Sequence, residues 1–228
     1  YTCADTRNAA GGGTKASTCN YGCYNGTGTP VTNKYFEGGS LLSISQMAQV
    51  NGWVGASTQR WILCYKRSVH GANSSAFHSL CNSKGATISI MKLTTGKLIG
   101  GYADQSWTSR NNYNYGASGS FLFSLTNNYK HSHYRYNYYL YDHSSYGPAW
   151  GGGHDFYTTL STTTRCNIGH DYLCRTGSYG STTCRNDFCG SYSPGLTDFE
   201  VYYKTSIVPL NGSAQAYCKC PANQMPGT

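Results

Sequence analysis

Eleven cysteines in 228 residues constrain this chain more than any other feature, because their number is odd and they fall into separate groups. Cys3, Cys19 and Cys23 sit in a Gly-, Thr- and Asn-rich start, and Cys218 and Cys220 sit in a short AYCKCPANQ segment near the end. Residues 1–40 show no hydrophobic period, so disulfides are expected to supply the order that a core does not, with the two termini bridged to one another. Those five cysteines cannot all pair among themselves. At least one thiol of the eleven is therefore free, modified or bonded to another chain, and a disulfide-linked homodimer is expected. Between the termini, Cys166, Cys174, Cys184 and Cys189 lie in a Gly-, Ser- and Thr-rich stretch, residues 164–190, that predicts two local disulfides. Zinc ligation by the same four is the minor alternative in an oxidising compartment.

The rest of the composition agrees with an extracellular setting. Only 11% of residues are charged, whereas Gly numbers 28 and Tyr 22, so solubility must come from amide, hydroxyl and phenol groups. The first residue is Tyr, from which a removed secretory leader is expected. Sequons at Asn25 (NGT), Asn73 (NSS) and Asn211 (NGS) are candidate glycan acceptors. No run of about 18 apolar residues is present, which argues against a membrane-spanning helix. The formal charge of +8 favours acidic partners, with sulfated or sialylated glycans the natural ones outside the cell. Nucleic acid is disfavoured, because the 17 Lys and Arg form no basic block and accompany no nucleic-acid motif.

Along the chain, Ser40 to Val50 (SLLSISQMAQV) has a Ser cap and apolar residues at three- and four-residue spacing, which predicts a helix ended by Asn51-Gly52. Trp61 to Tyr65 reads as a buried strand. Asn73 or Ser74 caps a second short helix with Phe77, Leu80 and Cys81 on one side, so that Cys64 and Cys81 tie strand to helix. Ala86 to Leu93, a turn at Thr95-Gly96 and the residues from Lys97 predict an antiparallel hairpin. Lys97 to Leu125 then encloses a loop of aromatic and amide side chains between two apolar runs, with Gly100-Gly101 permitting a kink or a close approach. In Tyr129 to Trp150 (YKHSHYRYNYYLYDHSSYGPAW), alternation of Tyr134, Tyr136, Tyr138 and Leu140 is consistent with a strand.

The succession WILCYKRSVHGANSSAFHSLCNSKGATISIMKLTTGKLIGGYADQSW, FLFSL, GPAWGGGHDFY and DFEVYY resembles the TLDc domain family from about Leu41 to Lys204. The resemblance implies a mainly β fold: a two-sheet antiparallel β-sandwich with short flanking helices, here with disulfide-stapled termini. It divides the chain into a cysteine-rich extension (1–40), the TLDc-like domain (41–204, interrupted by the stapled insertion at 164–190) and a cysteine-containing tail (205–228). Within it, Gly151-Gly152-Gly153-His154-Asp155 is expected to be a close-packing turn whose His-Asp pair hydrogen-bonds locally. Familiar members of the family are intracellular, implicated in oxidation resistance and in contact with the vacuolar proton pump. They lack the flanking cysteines seen here, so the resemblance implies scaffold more than partner.

Function is read from the aromatic and amide-rich loops. A pyranose offers an apolar C–H face that stacks on Trp or Tyr, and hydroxyls that need planar donors and acceptors. Trp107, Arg110, Asn112, Tyr113 and Tyr115 are expected to form one wall of a carbohydrate site, and Tyr134, Arg135, Tyr136, Asp142 and His143 another. His131 and His133, with Asp142 and His143, are permissive but unspecific metal donors, and neither metal nor cofactor is assigned. Nine carboxylates and the lack of a GxSxG elbow weigh against catalysis. The expectation is a secreted, dimeric, lectin-like defence or recognition protein that binds glycans or glycoproteins. An extracellular matrix protein and a protein-binding module or toxin are the alternatives.

Overall fold

The computed structural model describes residues 2–4, 16–18, 35–161 and 163–205. They fall into two compact units. In the first, β1 (Thr2–Ala4) and β2 (Ala16–Thr18) pair antiparallel. Cys19, Cys23, Cys218, Cys220 and the sequons Asn25 and Asn211 lie outside the described residues, as does the pairing of Cys3.

The second unit runs β3 (Phe36–Glu37), α1 (Ile44–Val54), β4 (Trp61–Lys66), α2 (Arg67–His70), α3 (Ser74–Cys81), β5 (Thr87–Leu93), β6 (Leu98–Ala103), β7 (Asn112–Asn114), β8 (Phe121–Ser124) and β9 (Tyr129–Ser132). It continues through β10 (Leu140–Asp142), β11 (Ala149–Trp150), β12 (Phe156–Thr158), β13 (Thr164–Cys166), α4 (Thr182–Phe188) and β14 (Leu196–Lys204). One sheet has the order β3-β4-β14-β5-β6-β8-β9 and the other β13-β12-β11-β10-β7. Pairing is antiparallel throughout both, apart from the parallel edge contact of β3 with β4.

Strand β5 shows why the larger sheet is buried on both sides. Met91 and Leu93 face the smaller sheet, where they join Trp107, Leu140, Trp150 and Phe156 in one core. Ile88 and Ile90 face the other way, against Met47 and Val50 of α1, with Trp61, Phe123 and Tyr202 beside them. Period-two alternation thus feeds two cores from one strand. The glycine pair of β6 admits both: a Cβ on Gly100 would strike the Phe123 ring, and one on Gly101 would fall inside the Trp150 indole. Trp150 then donates from Nε1 to the Tyr102 carbonyl at 3.2 Å. The strand stays regular, so the pair serves close approach and makes no kink.

Glu200 on β14 is fully buried yet satisfied. Its carboxylate accepts from the Ser40 and Leu41 amides (2.8 and 3.1 Å), from the Tyr202 hydroxyl (2.6 Å) and from Lys66 Nζ (2.8 Å), so it anchors the chain entering α1. Burial pushes the Tyr202 phenol above its ordinary range, and the Glu200 charge adds to this.

Helix α1 starts at Ser43 and runs through Asn51-Gly52 to a left-handed Gly55. Asn51 does not end it, because its buried amide instead holds the Gln59 carbonyl (2.7 Å) and accepts from Trp61 Nε1 (2.8 Å). Helix α3 is capped by Asn73 and disulfide-linked to β4 through Cys64–Cys81, although Leu80 is exposed. Cys166–Cys189 and Cys174–Cys184 are the two local disulfides of the 164–190 stretch. That stretch is more than a stapled loop: Cys166, Ile168, Tyr172, Cys184 and Phe188 all enter the core between the sheets. No strand covers Tyr134 to Tyr138, because β9 ends at Ser132, His133 forms an isolated bridge to Tyr172, and Tyr136 takes a left-handed φ of 55°.

Gly101→Ala should therefore lower the unfolding free energy by about 1–3 kcal/mol, the usual cost of overpacking. Gly52→Ala, inside α1 with nothing within 4 Å of the new methyl, should raise it by about 0.5–1 kcal/mol. Urea midpoints measured at constant m report both, and a midpoint shift of the same sign in the two variants would contradict this packing.

Candidate functional site

The pleat of the smaller sheet sends alternate side chains to opposite sides. Leu140, Trp150 and Phe156 go inward to the core; Tyr113, Tyr141 and Tyr157 go outward. Tyr113 and Tyr141 are register partners on β7 and β10, with ring centroids 4.8 Å apart. Tyr138 extends the run beyond Tyr113 (4.8 Å) to Tyr115 (5.7 Å), which is 54% exposed. In the other direction Tyr141 meets His143 (5.5 Å), Tyr146 (5.5 Å) and His154 (5.0 Å), and Tyr157 closes against Tyr146 (5.1 Å) and His154 (5.0 Å). Eight aromatic side chains thus form one continuous outer face. At its edge, Arg165 opposes Tyr157 in register and lies over the Tyr192 ring.

Burial raises the Tyr113 and Tyr157 phenols above their ordinary value and lowers the His154 imidazole. His154 Nδ1 is buried without a partner. The residue sits at a left-handed φ of 53°, the step that turns its ring outward from the glycine run.

A second group lies around the 169–179 loop. Tyr134 donates its hydroxyl to the Gly169 carbonyl (2.8 Å), Arg135 lies over both Tyr134 and Tyr136, and Tyr136 stacks on His170 at 4.9 Å. Tyr134, Arg135, Leu173, Ser178 and Tyr179 line a half-open cleft of about 350 Å³.

Beneath it, Asp155 organises the loop. Fully buried, its carboxylate accepts from the backbone N–H groups of Gly169 (2.8 Å), His170 (2.9 Å), Asp171 (3.0 Å) and Tyr172 (3.3 Å). Burial nevertheless pushes its carboxyl up to about 7 against the pull of those bonds. The three glycines before it leave room for their neighbours: a Cβ on Gly151 would overlap the Asp155 carboxylate, one on Gly152 would meet Tyr138 at 2.7 Å, and one on Gly153 would meet His170 at 2.7 Å. The glycine run is thus a close-packing turn, but its His-Asp pair does not bond within itself. His154 faces the outer tyrosines while Asp155 faces the 169–172 backbone.

The two expected walls are therefore redistributed. Trp107 is 1% exposed, bonded from Nε1 to Thr87 Oγ1 (2.9 Å) and edge-on to Trp150, so its ring has no face for a ligand. Asp142, also 1% exposed, is committed to the Thr108 amide and hydroxyl and the Ser109 amide at 2.8–3.0 Å. Arg110 is exposed, 3.6 Å from Asp142, and Asn112 is exposed beside it. Tyr113, Tyr115 and His143 belong to the outer face; Tyr134, Arg135 and Tyr136 belong to the cleft. The proposed metal donors are not brought together as a set: His131 bonds the Leu173 carbonyl (2.7 Å), while His133 faces Asp171. Asn73 is exposed, and its Oδ1 caps α3 at the Ala76 amide (2.8 Å). Sequence reasoning missed Tyr138, Tyr141, Tyr146, His154 and Tyr157. The alternation within LYD and FYT, an apolar residue inward beside a tyrosine outward, was the available signal.

Comparison with known proteins gives one family and two relatives. The family model described as "TLDc domain" matches residues 35–204. The "MTOR-associated protein MEAK7" of Danio rerio is 32% identical over 65 residues, 28% of this chain and 14% of that protein. The protein of the same name from Gallus gallus is 31% identical over 87 residues, 38% of this chain and 18% of that protein. The matches thus span less than a fifth of either relative's length.

Because His154 titrates below its ordinary value near 6.5, the folded chain binds fewer protons there than the unfolded one. Its contribution to stability is complete above about pH 6.5 and is lost as pH falls towards the lowered value. His154→Asn, which tolerates left-handed backbone, should reduce the slope of melting temperature against pH between about 5 and 6.5. Burial also lowers His131, to about 4, and His133, which add to this dependence, whereas Asp155, raised to about 7, opposes it because the folded chain binds more protons there than the unfolded one. An unchanged slope would count against the buried imidazole.

Proposed function

We propose, for a chain that belongs to the TLDc domain family, a non-catalytic recognition module that binds a partner protein through the outer tyrosine face of its smaller sheet. One observation carries the reading. An antiparallel sheet with a single packed face ordinarily turns polar side chains to water, whereas here three strand tyrosines and five rings from the flanking loops make that face continuous. Tyrosine gives large contact area at low conformational-entropy cost, and with arginine it is enriched among the residues that dominate binding energy. The relatives named as associated with MTOR are compatible with a protein partner for the module, of whatever identity. The three disulfides Cys64–Cys81, Cys166–Cys189 and Cys174–Cys184 suit an oxidising, extracellular setting, which we propose as its location. Among the described residues no helix is long and apolar enough to cross a membrane.

A glycan is the second reading, favoured by the cleft at Tyr134, Arg135 and Tyr179. Its volume suits a small polar ligand, and it combines aromatic rings with a cationic planar donor. A homodimer is proposed on cysteine number: six of the eleven pair within the unit, and the remaining five cannot all do so.

A photo-crosslinking benzoylphenylalanine in place of Tyr141 should yield a discrete protein adduct, absent when the same group replaces exposed Val69 of α2. Tyr157→Ala should weaken binding of that partner at least about tenfold. A glycan-array signal abolished by Arg135→Ala, with no protein adduct at Tyr141, would transfer the function to the cleft. On a non-reducing gel the chain should run as a dimer that thiol converts to monomer; a monomer with a titratable free thiol would remove the dimer.

A further inference from the structure

Three arginines around the 164–190 stretch carry charge that no carboxylate answers. Among the described residues none of Arg135, Arg165 and Arg185 makes a salt bridge, whereas Arg60, Arg110 and Arg175 each do. The acids of the same region are engaged elsewhere: Asp155 and Asp171 are fully buried, and Asp187 is held by Arg175. Arg165 and Arg185 nevertheless share one ring, their guanidinium carbons 5.5 and 4.8 Å from the centroid of Tyr192, which is 48% exposed. Two like charges brought to one ring repel each other, and an anion between them replaces the repulsion by attraction. We propose that these arginines bind a linear sulfated polysaccharide, with one sulfate group at Arg165 and Arg185 and another at Arg135.

Side-chain contacts join the two ends. Arg185 donates from Nε and Nη2 to Asn167 Oδ1 (3.1 and 2.7 Å), and Asn167 Nδ2 donates to the Tyr179 hydroxyl (3.1 Å). Tyr179 meets His170 at 5.2 Å, His170 stacks on Tyr136 at 4.9 Å, and Arg135 lies over Tyr136. The track thus runs from β13 at the edge of the smaller sheet to the cleft. Arg165 is fixed at its end by Nη1, on the Thr164 carbonyl (3.1 Å) and Ser193 Oγ (2.9 Å). Among the described residues, Nη2 of Arg165 and Nη1 of Arg185 have no partner. Guanidinium groups held in this way lose little freedom on meeting an oxyanion, and their fork of N–H donors fits its oxygens.

The spaces between the charges favour a sugar chain. Tyr179, Ser178 and Asn167 offer hydroxyl and amide groups, which suit the hydroxyls of a pyranose. Single-stranded nucleic acid needs open ring faces for its bases, whereas here Tyr136 is stacked on His170 and lies under Arg135, and Tyr192 lies under two arginines. A repeating anion that engages both ends at once gains strength that a single sulfate lacks. The proposal rests on the glycan reading of the cleft only at Arg135; the Arg165 and Arg185 end is separate from the cleft and from the tyrosine partner.

The test measures binding of the full chain to a labelled heparin octasaccharide, and to the same octasaccharide after desulfation, near neutral pH and at about 0.15 M salt. The sulfated chain should bind, and desulfation should weaken binding at least about tenfold. Arg165→Gln, Arg185→Gln and Arg135→Gln should each weaken it about tenfold, while Arg60→Gln, which removes the same charge beside Glu37, should bind as the unaltered chain does. In the unaltered chain, where no local packing has been disturbed, side-chain NMR should show the Nε–H signals of Arg165 and Arg185 shifting on binding while that of Arg60 stays put. Unshifted signals at both arginines, undiminished binding in both their variants, an equal loss with Arg60→Gln, or equally tight binding of polyglutamate or single-stranded DNA of the same charge would overturn the site. Binding of the desulfated chain that only Arg135→Gln abolishes would also overturn it, while leaving the glycan reading of the cleft in place.

Discussion

The geometry of both candidate surfaces depends on one buried carboxylate. Asp155 gathers four successive backbone N–H groups, from Gly169 to Tyr172, and so fixes a loop that has no regular secondary structure of its own. An unpaired carboxylate in that position would carry a heavy desolvation cost, and the convergent N–H groups offset it. The loop then does three things: it pairs with residues 132–134, it presents Asp171 and His170, and it floors the cleft. The glycine run before Asp155 is part of the same device, since any side chain at Gly151 would occupy the carboxylate's own space.

The second constraint is the fit of the sheets. Trp150 lies on the bare backbone of Gly101 and meets Trp107 edge-on, and Trp107 is itself anchored to Thr87 on β5. Each aromatic pair of this kind contributes about 0.5–1.5 kcal/mol beyond its area. Because these indoles fill the interior, the outer face of the smaller sheet is left to the tyrosines.

The parts of the fold legible in sequence were those set by local rules. Asn73 as a cap and the strand at Trp61 place Cys64 and Cys81 together without knowledge of anything distant. The GK turn and the β5–β6 hairpin follow from alternation and one glycine. Trp107 was illegible for the opposite reason: its neighbours in sequence are polar, and what buries it is packing against Phe77 and Trp150, with Thr87 on β5 accepting its Nε1–H. The tyrosine alternation at 134–138 was deceptive because the pairing of His133 with Tyr172 ends the strand there. The adjacency of His154 and Asp155 suggested a local bond, yet the left-handed φ of His154 sends its ring to the tyrosines while Asp155 faces the 169–172 backbone. Asp171 carried no signal at all, being an unremarkable residue in a Gly- and Ser-rich stretch until the loop is folded.

The tyrosine face and the 169–172 loop meet at Gly152. Gly152 donates its N–H to Asp171 Oδ2 and accepts the Tyr113 hydroxyl on its carbonyl at 3.0 Å. Tyr138 packs over the same glycine and joins Tyr113 and Tyr115. A displacement of the Asp171 carboxylate therefore reaches the outer rings through one glycine, whose lack of a side chain is what lets Tyr138 sit there. Substituting any larger residue at Gly152 would separate the two surfaces by pushing Tyr138 away, while leaving the inward-facing core of the smaller sheet in place. The tyrosine face and the loop that Asp155 fixes are thus joined at this glycine by two hydrogen bonds and one close contact.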